Sequence, residues 1–202
     1  MRKVLVMVVA SAVIGLCTQA VWTQEVEQKD AKAKTPVAEK ETKTEIIKLK
    51  ETEPFTYCAL EMKGSYEQHT TAFMTLYGET MKQAVAYDDI PFGIYWNDPQ
   101  TTAEEDLLWE IGFRLLEKHE VKEPLKIKEW KFTTMASRGY KGAFSEEEMG
   151  KAYEEIYQWI EKNGFVPAGP MMERYLRAPQ PNEAGELCGS VEILVPVEKA
   201  KK

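Results

Sequence analysis

The chain has 202 residues, 44% of them hydrophobic, enough for one folded domain with extensions. Its formal net charge of −7 argues against a nucleic-acid partner, because phosphate binding needs a basic face. The same acidity fits a cationic ligand weakly.

In chain order, Arg2 and Lys3 precede an apolar run over residues 4–16, interrupted by Ser11 and Gly15. Thr18-Gln19-Ala20 then places small residues where a signal peptidase reads. Residues 1–20 therefore read as a secretory signal peptide, too short for a comfortable membrane span, with an uncleaved anchor as the competing reading. Leu16 before Cys17 argues against a lipoprotein. The expected location is exported, periplasmic or secreted. An oxidising compartment permits a disulfide between the two remaining cysteines, Cys58 and Cys188, although two separate buried thiols are the favoured reading. Residues 21–54 are rich in Lys, Glu, Thr and Ala, and read as a disordered charged linker.

The folded domain is expected over residues 55–199. Residues 57–62 are strand-like, and Lys63-Gly64-Ser65 breaks the strand. Residues 66–85 follow with Phe73, Leu76, Tyr77, Met81 and Ala84 at helical spacing. Gly93-Ile94-Tyr95-Trp96 is a short strand, and residues 107–116 fit either a strand or a helix. Self-similarity decides between them. Lys141-Gly142-Ala143-Phe144 echoes Lys63-Gly64-Ser65-Tyr66, Tyr175 to Pro179 echoes Tyr95 to Pro99, and Val191 to Val195 echoes Trp109 to Phe113. The echoes keep their order. Residues 107–115 become a strand, residues 130–138 open the second unit, and residues 146–163 form its helix with Gly164 as the stop. The expected fold is α+β: two β-α-β-β units, over about 55–116 and 128–198, with antiparallel sheets, helices on the outer face and a central ligand cleft. The cleft is expected where the opposite sheet faces meet.

These segments resemble the GyrI-like small-molecule-binding domain, also found as the effector-binding domain of AraC-type and MerR-type multidrug regulators. The resemblance rests on Gly142, on Tyr157-Gln158-Trp159-Ile160-Glu161-Lys162-Asn163-Gly164, on residues 169–176 and on the closing strand over residues 191–197. It implies a pocket carboxylate in the pattern Glu-x-Tyr-Leu, here Glu173-Arg174-Tyr175-Leu176. Strand alternation puts Met171, Glu173 and Tyr175 on one face, a partly apolar setting in which a glutamate meets a cation or has a raised pKa. The first unit has Gly93 at the equivalent position. Tyr95 belongs on the face equivalent to Tyr175, and Trp109, Trp130 and Tyr57 are candidates to line the same cleft, with a core role for each aromatic equally open. Glu110 and Glu192 recur in both units, which suggests a structural role. His69 and His119 are isolated and show no metal-ligand spacing, and no phosphate loop or nucleophile motif is present, so no metal or cofactor is expected.

Three functions remain open at this level. The first is an exported binder of lipophilic or cationic small molecules, with the membrane involved only if the signal segment stays uncleaved. The second is a hydrolase of strained cyclopropane-type toxins, a role some GyrI-like proteins perform, with Glu173 as general base and Tyr175 or Tyr95 as proton donor. The third is an envelope protein-interaction module.

Overall fold

The structure, a computed structural model, describes residues 46–201. The signal segment and most of the linker lie outside the described residues. The elements run β1 (Lys48–Glu51), β2 (Phe55–Lys63), a single 3-10 turn (Tyr66–Gln68), α1 (His69–Lys82), β3 (Phe92–Tyr95), β4 (Leu108–Arg114), β5 (Leu125–Trp130), β6 (Thr134–Ala143), α2 (Glu146–Lys162), β7 (Phe165–Pro167), β8 (Met171–Pro181) and β9 (Leu187–Lys199), with a short 3-10 turn at Glu104–Asp106 before β4. The duplicated α+β plan is present: β2-α1-β3-β4 and β6-α2-β8-β9 are the two units.

The helix ends follow local chemistry. Ser145 caps α2, its hydroxyl accepting the Glu148 N–H at 3.3 Å. Gly164, at φ +74°, ends α2 in the left-handed conformation, with its N–H on the Glu161 carbonyl. At the end of α1 the same turn is closed by Val85 N–H on the Thr80 carbonyl and Ala84 N–H on the Met81 carbonyl, with Ala84 forced to φ +53°.

Among the described residues, all strands join one antiparallel sheet in the order β1-β6-β9-β8-β3-β4-β2-β5, and β7 pairs with β9. The two units meet edge to edge through β3 and β8, where Gly93 lies directly opposite Glu173. The pseudo-twofold axis therefore passes between those two residues. Residues 131–133 link β5 to β6 although six strand-to-strand steps separate them in the sheet. Flat, those steps would span roughly 29 Å. The link reaches at most about 14 Å. The sheet must curl, and its inner face closes over Tyr57, Ala59, Phe92, Ile94, Trp130, Met135, Met172 and Leu194. Both helices pack on the outer face, over a second cluster that includes Leu76, Trp109, Ile111, Phe113, Ile156, Ile160 and Ile193.

Three expectations are corrected. The sheet faces of the two units do not face each other across a cleft, because the inner face is filled with side chains. The linker ends earlier than residue 54, since Lys48–Glu51 pairs with Thr134–Ser137 as an edge strand. Trp130 closes β5 and does not open the second unit; Lys126 and Lys128 alternate with Leu125 and Ile127 there, a period-two pattern that marks a strand. In line with the favoured reading of the cysteines, Cys58 and Cys188 are free thiols, one buried in β2 and one half-buried in β9.

Candidate functional site

The centre of the outer sheet face, between α1 and α2, carries a carboxylate enclosed by tyrosines. Strand alternation on β8 sends Glu173 and Tyr175 outward, and β3 sends Tyr95 outward beside them. Gly93 makes this arrangement possible. A Cβ there would sit 2.5 Å from the Tyr95 hydroxyl oxygen, so only glycine lets the Tyr95 ring lie along its own strand.

Glu173 is 1% exposed. Its Oε2 accepts the Tyr175 hydroxyl at 2.9 Å and lies 3.5 Å from the Tyr95 hydroxyl. Its Oε1 accepts the Tyr153 hydroxyl from α2. The Tyr95 and Tyr175 hydroxyls are 2.7 Å apart, and Tyr95 also meets His69 Nε2 at 2.9 Å. His69 opens α1; its Nδ1 is on the Tyr66 carbonyl, and its ring stacks on Trp109 at 4.3 Å between centroids. Trp109 donates its indole N–H to the Gly64 carbonyl at 3.0 Å. Phe73 of α1 meets Tyr175 edge-on at 5.5 Å, and Tyr66 meets Tyr95 edge-on at 5.4 Å.

Among the described residues, no lysine or arginine pairs with Glu173. Arg174 faces the other way and pairs with Glu192 at 2.9 Å. Burial raises the Glu173 pKa above its ordinary 4.5, while the three tyrosine donors pull it back down. Burial also raises Tyr95, Tyr153 and Tyr175 well above 10.0, so their hydroxyls keep their protons. His69 is pushed down to about 4 by burial and is neutral near pH 7. A carboxylate among uncharged donors is suited to hold either a proton or a ligand's positive charge.

Of the expected site residues, the structure brings together Glu173, Tyr175 and Tyr95. It places Trp109 one ring behind them and half-buried Met171 on the same face, opposite Tyr95 in the β3–β8 register. Tyr57 is corrected: it belongs to the inner face, where its hydroxyl donates to Glu110 at 2.7 Å. Trp130 is on that face too. Glu110 and Glu192 each bind a lysine on the inner face, Glu110 with Lys128 and Glu192 with Lys50 at 2.6 Å. The sequence reading missed Tyr153 and His69. Tyr153 was legible in principle: a tyrosine in the apolar stripe Met149, Tyr153, Ile156, Ile160 must find a partner for its hydroxyl. No pattern marked His69.

The family model of the GyrI-like small molecule binding domain matches residues 45–198. The chain is similar to the crystal structure of the EcmrR C-terminal domain, at 18% identity and a TM-score of 0.65, covering 77% of this chain and 99% of that one. Against the chain in the EcmrR–DNA complex, identity is 18%, the TM-score is 0.65 and coverage is 78% of this chain. This chain spans only 59% of that longer protein. A Listeria innocua structure described as a hydrolase is similar at 16% identity and a TM-score of 0.54, covering 75% of this chain and 91% of that one. No curated protein matches the chain.

Proposed function

The chain belongs to the GyrI-like small-molecule-binding family, and on that premise we propose that it binds a lipophilic cation at Glu173, between α1 and α2. The observation that carries this reading is a fully enclosed carboxylate ringed by tyrosines, with no basic partner among the described residues. Burying an unpaired carboxylate is costly, so a bound cation gains strongly there. The tyrosine, tryptophan and phenylalanine rings add cation–π and stacking contacts for a flat or aromatic cation. Tyr153 and Tyr66, both half-buried, are the side chains whose displacement admits the ligand. The loop over residues 97–106 beside them carries Asp98, Glu104, Glu105 and Asp106 and no basic residue, a field that attracts cations. With the leader-like first twenty residues, the protein captures its ligand outside the cytoplasm.

The test is thermal unfolding of wild type and Glu173→Gln with tetraphenylphosphonium and with neutral triphenylphosphine oxide. Ligand at 100 times its dissociation constant stabilises by about 2.7 kcal/mol. For a domain of this size that raises Tm by roughly 5–10 °C. The expected result is a shift with the cation, little with the neutral compound, and loss of the shift in Glu173→Gln. An equal shift in the variant removes Glu173 from the site. No shift with any cation leaves a protein-docking role standing, and turnover of a cyclopropane substrate that Glu173→Gln abolishes makes it a hydrolase.

A further inference from the structure

His69 lies outside the ring around the carboxylate, yet it terminates a hydrogen-bonded string that begins there. The string runs Glu173 Oε2, Tyr175 hydroxyl, Tyr95 hydroxyl, His69 Nε2, with successive separations of 2.9, 2.7 and 2.9 Å. His69 Nδ1 faces a backbone carbonyl, which cannot donate, so Nδ1 carries a hydrogen and Nε2 of the neutral ring is an acceptor. Three links need three hydrogens. The two tyrosines supply one each. The third must come from an end: from Glu173 as the neutral acid, or from His69 as imidazolium. With neither end protonated, two lone-pair atoms face each other inside the core, which leaves a buried acceptor unsatisfied.

We propose that His69 holds Glu173 in its protonated form through the two-tyrosine string, so that seating a cation at Glu173 releases one proton. The exchange balances: the O–H bond of the Glu173 acid breaks, the proton leaves to solvent, and the cation's charge replaces it against the carboxylate. The proton rests at Glu173 because buried His69 is the poorer site for a positive charge. Without His69 the string has two links and two tyrosine hydrogens, and it is complete with an ionised Glu173. His69 is therefore a positioning residue that sets the proton linkage of the site.

The groups around Glu173 are consistent with this count. Tyr175 comes from β8, Tyr95 from β3, Tyr153 from α2 and His69 from α1, and none of them is a cation near pH 7. Tyr66, in the turn before α1, feels the charges of Asp98 and Glu173, and Tyr157 of α2 feels Asp98. Tyr153 donates to the other carboxylate oxygen and stands outside the string. It stabilises the ionised form, the opposite influence to that of His69.

The opposition supplies the test. The carboxyl carbon of Glu173 is followed by ¹³C NMR against pH in the ligand-free full chain, for wild type, His69→Phe, His69→Leu and Tyr153→Phe. The expected result is a midpoint lowered by about one unit, a tenfold loss of proton affinity, in both His69 variants. Tyr153→Phe raises it, because a donor to the carboxylate is lost. A general loosening of the site would move all three the same way, and a midpoint unmoved or raised in the His69 variants overturns the proposal; if His69→Phe fails to fold, His69→Leu carries the comparison. This inference rests on the cation-binding reading only for its second part. Calorimetry with tetraphenylphosphonium, in two buffers of different ionisation enthalpy below the wild-type midpoint, reads about one proton released per cation in wild type and fewer in His69→Phe. Absence of tetraphenylphosphonium binding sinks the ligand reading while the carboxyl titration still decides the string; equal proton release in the two proteins overturns the role of His69.

Discussion

Residues with the same chemistry have opposite fates here according to which way a strand turns them. Glu173 and Glu110 are both 1% exposed. Glu110 has Lys128 and the Tyr57 hydroxyl on the inner face, so its charge is matched; Glu173 has tyrosines alone. Tyr57→Phe should therefore lower stability by about 1–3 kcal/mol in urea unfolding, since it leaves a buried acceptor short of a donor. It should leave cation-induced thermal shifts unchanged, because Tyr57 is across the sheet from Glu173. Two groups of the outer face respond to pH with opposite signs. Glu173 has a folded pKa above 4.5, so the folded state holds more protons than the unfolded chain just above that pH. Stability must then fall as pH rises from about 4.5 through the folded value. Glu173→Gln should flatten that fall in Tm-versus-pH measurements. His69 acts with the other sign: held at about 4 against an ordinary 6.5, it takes up its proton first in the unfolded chain, so its share of stability is lost as pH drops through that window.

At the scale of the elements, the two helices end in the same turn built from different residues. Gly164 takes its left-handed conformation freely, whereas Ala84 adopts φ +53° with a Cβ in the way. Ala84→Gly should raise stability by about 1 kcal/mol, which thermal or urea unfolding will show. The opposite sign, a loss, is expected wherever glycine replaces alanine inside a helix, so the increase reports on this turn. The strand pair β3–β8 is the other element of consequence. It is short, but it joins the units, and its central pair Gly93–Glu173 is where their equivalence is broken.

On the scale of the molecule, the short link from β5 to β6 curls the sheet, and the curl creates the inner cluster. Trp130 and Tyr57 come from the first half, and Met135, Met172 and Leu194 from the second. Each large apolar side chain buried there contributes about 1.5–3 kcal/mol. Trp130→Ala should cost about 3–5 kcal/mol. Because the cluster draws on both units, the loss should appear as one cooperative transition at lower denaturant. A separate early transition of one unit would mean that the halves fold independently.

The repeat, the two helices, the stop of α2 and the core strands could be read from the sequence, through the 3.6-residue spacing of α1 and α2, the glycine after α2 and the echo of β9 that makes β4 a strand; the end of α1 could not, because Ala84 keeps helical spacing yet turns to φ +53° beyond Lys82. Glu173 was also legible, through its short motif and the face it shares with Met171 and Tyr175. Strand alternation, however, gives the two faces of a strand without saying which one the helices cover: the cleft was expected on the face away from the helices, whereas Glu173, Tyr175 and Tyr95 lie on the helix face and Tyr57 lies across the sheet from them. Local spacing is equally silent about pairs far apart in the chain. That Gly93 opposes Glu173, that β1 covers the edge of β6, and that His69 reaches the carboxylate through Tyr95 and Tyr175 were settled by strand order, register and the curl of the sheet. These depend on the closure of the whole chain, which no single segment encodes.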